Sequence, residues 1–344
     1  MRVLIATDAW RPQVNGVVRS LEHLAREAPA LDAEIHFLTP DAFRTMPMPT
    51  YKEIRLALAM PWHVRRIIDQ VKPDFIHIAT EGPIGLSARH VCLADKHTFT
   101  TSYHTRFPEY IAARAPVPER WSYAAIRRFH NAGAATMVSS PTLESDLAAR
   151  GFRNLVRWSR GVDAHVFYPR AEKPLNFPGP VFLYVGRVSV EKNIETFLAT
   201  DLPGSKVIVG DGPARAQLAA RYPDAHFLGV KTGEELAAVY ASADVFVFPS
   251  VTDTFGIVLL EALASGLPIA AFPVMGPVDV VGDSGTGVLD KDLRTAALAA
   301  LDIPRDLCRA HALTFSWEAS ARQFLDNIRR VQSPLNAVVT GIAA

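Results

Sequence analysis

Only two cysteines, Cys92 and Cys308, occur in 344 residues, and they lie far apart in the chain. That excludes a disulfide framework and a cysteine-based zinc site, and it points to a reducing compartment. No run of eighteen apolar residues exists, because Glu261 and Pro268 interrupt the best candidate, so no membrane-spanning helix is expected. The opening stretch Met1-Arg2-Val3-Leu4-Ile5-Ala6 reads as a buried strand, with an apolar run too short for a secretory signal. Neither a full G-x-G-x-x-G fingerprint nor a P-loop lysine is present, which counts against a nicotinamide enzyme, a kinase and an ATPase. No internal repeat or low-complexity tract stands out. With 49% hydrophobic and 21% charged residues, the composition is that of a folded protein with sizeable cores.

What is present is alternation. Strand-like apolar runs at Val3–Ala6, Ile35–Leu38, Phe75–Ala79, Thr98–Ser102 and Thr136–Ser139 are separated by helix-length segments. The pattern resumes at Val181–Val185, Lys206–Val209, Ala225–Leu228, Val245–Phe248 and Pro268–Ala271. This predicts an α/β chain with parallel sheets. Four prolines between Tyr168 and Pro180 make a stiff connector. The expected division is a first lobe over 1–168, a second over 174–315 and a terminal segment over 316–344, whose helix opens with Ser316 as N-cap. Two Rossmann-like lobes with a cleft between them is the simplest architecture.

The charge of +1 hides an asymmetry, since residues 1–170 carry 22 basic against 16 acidic side chains and the remainder the opposite excess. Arg65 and Arg66 follow Trp62, and Arg114, Arg120, Arg127 and Arg128 interleave with Trp121, Tyr123 and Phe129. Basic and aromatic residues on helical stretches suit an anionic lipid surface. An ordinary solvated face carrying half-buried aromatics explains the same pattern. Nucleic acid is disfavoured, because the overall charge is small and no recognition motif occurs.

The most informative stretch runs from Phe248 to Gly266. A buried strand stops at Pro249-Ser250, a polar loop follows, and an apolar helix is predicted over Gly256–Ala264. Backbone N–H groups of Thr254, Phe255, Gly256 and Ile257 at such a helix start suit a diphosphate. Asp253 stands at the mouth of the loop and Glu261 two turns into the helix. Were all the intervening steps helical, the two carboxylates would lie about 12 Å apart along the axis. That layout matches a sugar nucleotide, with ribose and hexose on opposite sides of the pyrophosphate. A sheet-flanking helix with one solvated Glu is the plainer alternative.

Other loops follow strand ends. Gly16, in Gln13-Val14-Asn15-Gly16, lets backbone approach a phosphate closely. His104 and Arg106 follow the Thr98–Ser102 strand, and His77 and Glu81 belong to the same rim, with Glu81 and Arg106 assigned to the acceptor side. Arg187 and Lys192, in Gly186–Asn193, supply two cations for one diphosphate. Gly210-Asp211-Gly212-Pro213 reads as a structural turn, as do Gly161 and a locally capping Asp163 in Arg160–Asp163. The one Asp-x-Asp triplet, Asp290-Lys291-Asp292, reads as a solvated turn, so no metal site is expected.

Together these motifs resemble the retaining GT-B glycosyltransferases of family 4 over nearly the whole chain. The resemblance implies parallel-sheet lobes facing a central cleft and a last helix that crosses back to the first lobe. It assigns His104, Arg187, Lys192 and Asp253 to the reacting centre. Gly16, Val230, Lys231, Thr254, Phe255, Gly256, Ile257 and Glu261 fall to the donor, with Val230 and Lys231 beside the base. Asp253 stands where the family commonly has Glu, which leaves the hexose open. The expected activity is metal-independent transfer of a hexose or hexuronic acid, without a cofactor, from UDP-glucose or UDP-glucuronate, GDP-mannose being the alternative. The expected acceptor is a lipid such as diacylglycerol, on the inner face of the plasma membrane. A glycan or small-molecule acceptor, a sugar-nucleotide epimerase and a non-catalytic sugar-nucleotide sensor are the rivals.

Overall fold

The computed structural model describes residues 1–13, 15–47, 55–112, 118–171, 173 and 176–332. Val14 and Arg114 lie outside these described residues. The chain forms two compact units, one of Met1–Arg160 with the segment from Trp317 onward, the other of Gly161–Ser316.

The first unit carries β1 (Arg2–Ala6), β2 (Glu34–Leu38), the short antiparallel pair β3 (Thr45–Pro47) and β4 (Arg55–Ala57), then β5 (Phe75–Ile78), β6 (Phe99–Ser102), β7 (Ala135–Val138) and β8 (Leu155–Arg157). Six of them make a parallel sheet in the order β2-β1-β5-β6-β7-β8. The central strands are buried along their whole length, as a sheet covered by helices on both faces requires. The second unit repeats the plan with β9 (Val181–Val185), β10 (Ser205–Val209), β11 (His226–Gly229), β12 (Val245–Phe248), β13 (Ile269–Ala271) and β14 (Gly287–Leu289). Their order is β11-β10-β9-β12-β13-β14, again all parallel. In each sheet the direction of strand addition reverses once, between β1 and β5 and between β9 and β12. Those reversals open crevices at the carboxyl ends of the strands.

The predicted strands are all present within a residue or so, but β3, β4, β8 and β14 were not anticipated. Each of these is three residues long and partly exposed, so no apolar run marks it. The change of unit falls between Arg160 and Gly161, ahead of the proline-rich connector expected to mark it. The reason is packing: Val162 and Phe167 are buried in the second core. The turn expected at Gly161 begins only after Asp163, whose carboxylate accepts the His165 N–H at 3.2 Å.

The last helix, Trp317–Gln332, begins directly after Ser316 and belongs to the first unit. Its buried Ala321, Phe324, Leu325 and Ile328 join Val3, Ile5, Leu21 and Trp158 in one apolar cluster. Hydrogen bonds fix its register: Trp158 Nε1 donates to Ser320 Oγ at 3.1 Å, and Asn327 Nδ2 to the Arg157 carbonyl at 2.8 Å.

His77 sits inside this packing rather than at a rim, fully buried in β5 and edge-on to Phe324 at 4.9 Å between ring centres. Its ring nitrogens are satisfied by Thr100 Oγ1 at 2.8 Å and Ser102 Oγ at 2.9 Å. Burial, with Arg160 and His130 adding to it, pushes its pKa down from 6.5 to about 3. The unfolded chain therefore takes up a proton near pH 6.5 that the folded chain refuses, and folding stability falls as the pH drops from there towards 3. The expected slope for this one group is about 1.4 kcal/mol per pH unit. Urea unfolding at pH 7 and pH 5 should show the loss, and His77→Gln should reduce it. An unchanged pH dependence in that variant would remove His77 as its source.

Candidate functional site

In the second unit, the loops leaving β9 and β12 meet at the reversal of strand order. The β9 loop carries Gly186, Arg187 and, in a single turn over Val190–Lys192, Lys192. The β12 loop runs from Pro249 to Gly256. Lys192 Nζ pairs with Asp253 Oδ1 at 2.5 Å, joining two of the residues singled out in the sequence. Asn193 holds the same loops together: its backbone is left-handed at φ +53°, and its side-chain amide donates to the Pro249 carbonyl at 3.1 Å. The Thr252 hydroxyl adds a bond to the Glu191 carbonyl at 3.2 Å. Arg187 is half-buried, and its carbonyl accepts the Tyr184 hydroxyl at 3.0 Å.

The helix after the β12 loop spans Ile257–Ala264, with Gly256 as its N-cap at φ +84°. Gly256 has no side chain with which to cap it, and its first amides lie at the positive end of the helix dipole. Thr254 and Ile257 are half-buried, whereas the Phe255 side chain points into the core and only its backbone remains for a ligand. Because the helix starts at Ile257, the eight steps from Asp253 to Glu261 are not all helical, and the straight-axis spacing expected from sequence does not apply. Glu261 lies one turn into the helix, not two, and is 3% exposed. Its Oε2 accepts the Tyr240 hydroxyl at 3.0 Å, an orienting partner that sequence reasoning missed. Next to β11, Val230 is exposed and Lys231 pairs with Glu235 at 3.5 Å.

The Gly210–Pro213 turn is structural in a specific way. A Cβ on Gly210 would sit 1.9 Å from the Gly186 carbonyl oxygen, and one on Gly212 would sit 2.4 Å from that of Val188. These glycines let the β10 loop lie flat on the loop that carries Arg187. Asp290 and Asp292 cap their own turn: Asp292 accepts from the Arg294 amide at 3.1 Å and the Thr295 hydroxyl at 2.7 Å. Among the described residues no group of three metal-ligating side chains is found.

In the first unit the corresponding crevice lies between the β1 and β5 loops. Gly16 opens the helix Gly16–Glu27, whose Val17 and Val18 amides are capped by Asn15 Oδ1 at 3.0 Å each. Asp8, which the sequence did not single out, ties the loops together. Its carboxylate accepts the Ile84 amide and the Thr80 hydroxyl, both at 2.8 Å, and burial raises its pKa. Gly82 allows this approach, since a Cβ there would lie 2.5 Å from the Asp8 carboxylate carbon.

Glu81 is held by His130 Nε2 at 3.0 Å, and Arg106 by Glu109 at 2.8 Å. Both acceptor-side candidates are thus engaged within the unit. His104 is half-buried at the end of β6, with Nδ1 3.1 Å from Arg160 Nη2. On the basic surface, Trp62 and Trp121 are each 63% exposed, as the membrane reading requires. Tyr123 and Phe129 are buried instead, because they fall on the inner side of the helix Glu119–His130. No helix among the described residues is long and apolar enough to cross a membrane.

Two parallel-sheet lobes with polar loops at both strand-order reversals are the architecture of GT-B glycosyltransferases. The family description Glycosyltransferase Family 4 matches residues 14–166, and Glycosyl transferases group 1 matches residues 179–303. A GDP-mannose-dependent alpha-mannosyltransferase of Mycobacterium tuberculosis is 33% identical over 84% of this chain and 83% of its own length. Sulfoquinovosyl transferase SQD2 of Arabidopsis thaliana is 34% identical over 71% of this chain and 51% of its own. The structure of sucrose-phosphate synthase from Thermosynechococcus elongatus superposes with a TM-score of 0.80 at 21% identity, covering 96% of this chain and 98% of that one. The chain belongs to glycosyltransferase family 4 and is a glycosyltransferase that uses a nucleotide sugar.

The Gly210 contact is open to a direct test. Gly210→Ala should push the Gly186–Arg187 backbone away and lower stability by about 1–3 kcal/mol, the cost of overpacking a tight contact. Thermal unfolding equal to the parent would show that the two loops are not pressed together.

Proposed function

We propose that this protein is a retaining, metal-independent hexosyltransferase that takes GDP-mannose as donor and a membrane lipid as acceptor. The observation that carries the transferase chemistry is the pairing of Lys192 with Asp253 across the β9 and β12 loops, beside the helix start at Gly256. In this reading Lys192, Arg187 and the amides around Gly256 neutralise the diphosphate and the charge that grows as the glycosidic bond breaks. Asp253 accepts hydroxyls of the hexose and Glu261, oriented by Tyr240, those of the ribose. A phosphate oxygen of the donor takes the acceptor proton, so the protein supplies position and charge rather than a strong base. Asp290 and Asp292 are spent on capping, which supports a donor site built without a divalent ion. GDP-mannose is placed ahead of UDP-glucose and UDP-glucuronate because the mannosyltransferase relative spans most of both chains.

Arg187→Ala should lower kcat about a hundredfold, as removal of one preorganised electrostatic contact does. Lys192→Arg should restore little, because the two cations differ in shape. Radiolabelled transfer from GDP-mannose, UDP-glucose and UDP-glucuronate, with and without EDTA, checks donor and metal together. Loss of activity in EDTA with recovery on Mg²⁺ would overturn metal independence, and near-normal turnover in Arg187→Ala would overturn the site.

The lipid acceptor rests on a surface of the first unit. Leu58, Met60 and Trp62 are more than half exposed at the start of the helix Pro61–Val71. The helix Pro83–Ala94 packs beside it and reaches the end of Glu119–His130 through Arg89, which donates to the Phe129 carbonyl at 3.1 Å. Exposed Arg66, Arg120 and Arg128 accompany the two exposed tryptophans. Arg65 is less available, being forked onto Asp95 at 2.6 and 2.9 Å. Each available cation contributes about 1 kcal/mol near an anionic bilayer. Trp62→Ser combined with Arg120→Glu and Arg128→Glu should release the protein from phosphatidylglycerol vesicles at low salt while nucleotide affinity stays unchanged. Equal flotation of parent and variant would favour a soluble acceptor.

A further inference from the structure

We propose that Arg160 is a positioning residue that holds His104 as a neutral imidazole with its proton on Nε2, so that this ring can act only as a hydrogen-bond donor towards substrate. Arg160 Nη2 lies 3.1 Å from His104 Nδ1. A guanidinium has five N–H donors and no acceptor, so the nitrogen facing it must offer a lone pair. In a neutral ring the proton then sits on the other nitrogen. An imidazolium would set N–H against N–H and one cation against another.

The guanidinium has little freedom to turn away. Arg160 is 5% exposed, and its Nη1 donates to the Trp158 carbonyl at 2.6 Å and the Ser159 carbonyl at 3.1 Å. It lies over the Trp158 indole, 4.3 Å from the ring, and that same indole meets His104 edge-on at 5.8 Å. Burial pulls Arg160 down to about 9, which leaves it cationic at neutral pH. Among the described residues, Arg160, His77 from β5 and His130 from the end of Glu119–His130 face His104, and each acts against protonation, as burial does most strongly. The ring therefore stays neutral well below the usual histidine range.

For catalysis, the inference rests on the expectation, carried by the family resemblance, that His104 belongs to the reacting centre; the tautomer itself does not. The acceptor of its N–H would be a sugar oxygen, and no general-base step passes through the ring.

Long-range proton–nitrogen NMR on histidine-labelled protein reads the tautomer directly. The parent should show His104 as a single Nε2–H species that does not titrate between pH 8 and pH 5. In Arg160→Met the ring should populate both tautomers, and kcat should fall on the order of ten- to a hundredfold through lost orientation; its pKa should rise only in part, because burial, the larger cause, remains. Arg160→Lys, which still offers only donors, should keep the Nε2–H form. A parent His104 protonated on Nδ1, or a tautomer unchanged in Arg160→Met, would overturn the proposal. If Arg160→Met does not fold, the parent and Arg160→Lys spectra decide it. An intact tautomer signature with full kcat in His104→Asn would instead remove His104 from the donor site and leave the Arg160 assignment standing.

Discussion

Inside a parallel sheet the backbone donors and acceptors are consumed by neighbouring strands, and helices cover both faces. Polar groups can then be offered to a ligand only from the loops at the carboxyl edge, and those loops part most widely where strand order reverses. That constraint places the chemistry of this chain. Arg187, Lys192 and Asp253 flank the β9/β12 reversal in the second unit. Asp8, Thr80 and Glu81 flank the β1/β5 reversal in the first. Such loops must also lie close to one another without side chains between them. Gly210 and Gly212 under the Gly186–Val188 segment are positions where a single methyl group would collide with backbone.

The second unit couples its charges before any ligand arrives. Lys192 and Asp253 are each about one-fifth exposed, which is dry enough for the pair to be more than a surface contact yet open to a phosphate. Removing either partner therefore leaves the other charge without its counterweight. Glu261 presents a different case. A carboxylate among Leu259, Leu260, Ala262 and Leu263 would be costly without a donor, and the Tyr240 hydroxyl supplies one.

Much of this was legible in the sequence because it depends on local chemistry. Continuous apolar runs marked every interior strand, and polar residues just beyond strand ends marked Lys192, Asp253 and His104. What escaped depends on pairing across long separations. β8 and β14 are short edge strands whose existence follows from a neighbour rather than from their own pattern. His77 was placed at a rim although the strand expected over Phe75–Ala79 already contained it, because its burial against Phe324 of the last helix follows from the fold and not from local pattern. Tyr123 and Phe129 were read as surface aromatics since a basic, aromatic stretch does not reveal which side of its helix faces inward. Asp8 and Arg160 fell within stretches the sequence marks, but nothing there gave either of them a role. Their partners are Thr80, Ile84 and His104, which only the fold brings near.

Burial in the first unit favours the neutral form of several ionisable groups. It lifts Asp8, lowers His77 and His104, and draws Arg160 down without discharging it at neutral pH. A magnitude shows why the histidines yield and the arginine does not. Two unit charges at the 3.1 Å separating Arg160 from His104 would repel by roughly 5 kcal/mol at an effective dielectric near 20. A histidine escapes that cost by losing a proton whose ordinary pKa is near 6.5, whereas an arginine would have to give up one held far more tightly. The positive charge therefore settles on Arg160, where two carbonyls and an indole face can hold it, and the neighbouring rings remain neutral. Protonation of these rings then cannot answer changes of pH in the physiological range, and the polarity of this part of the first unit is set by packing.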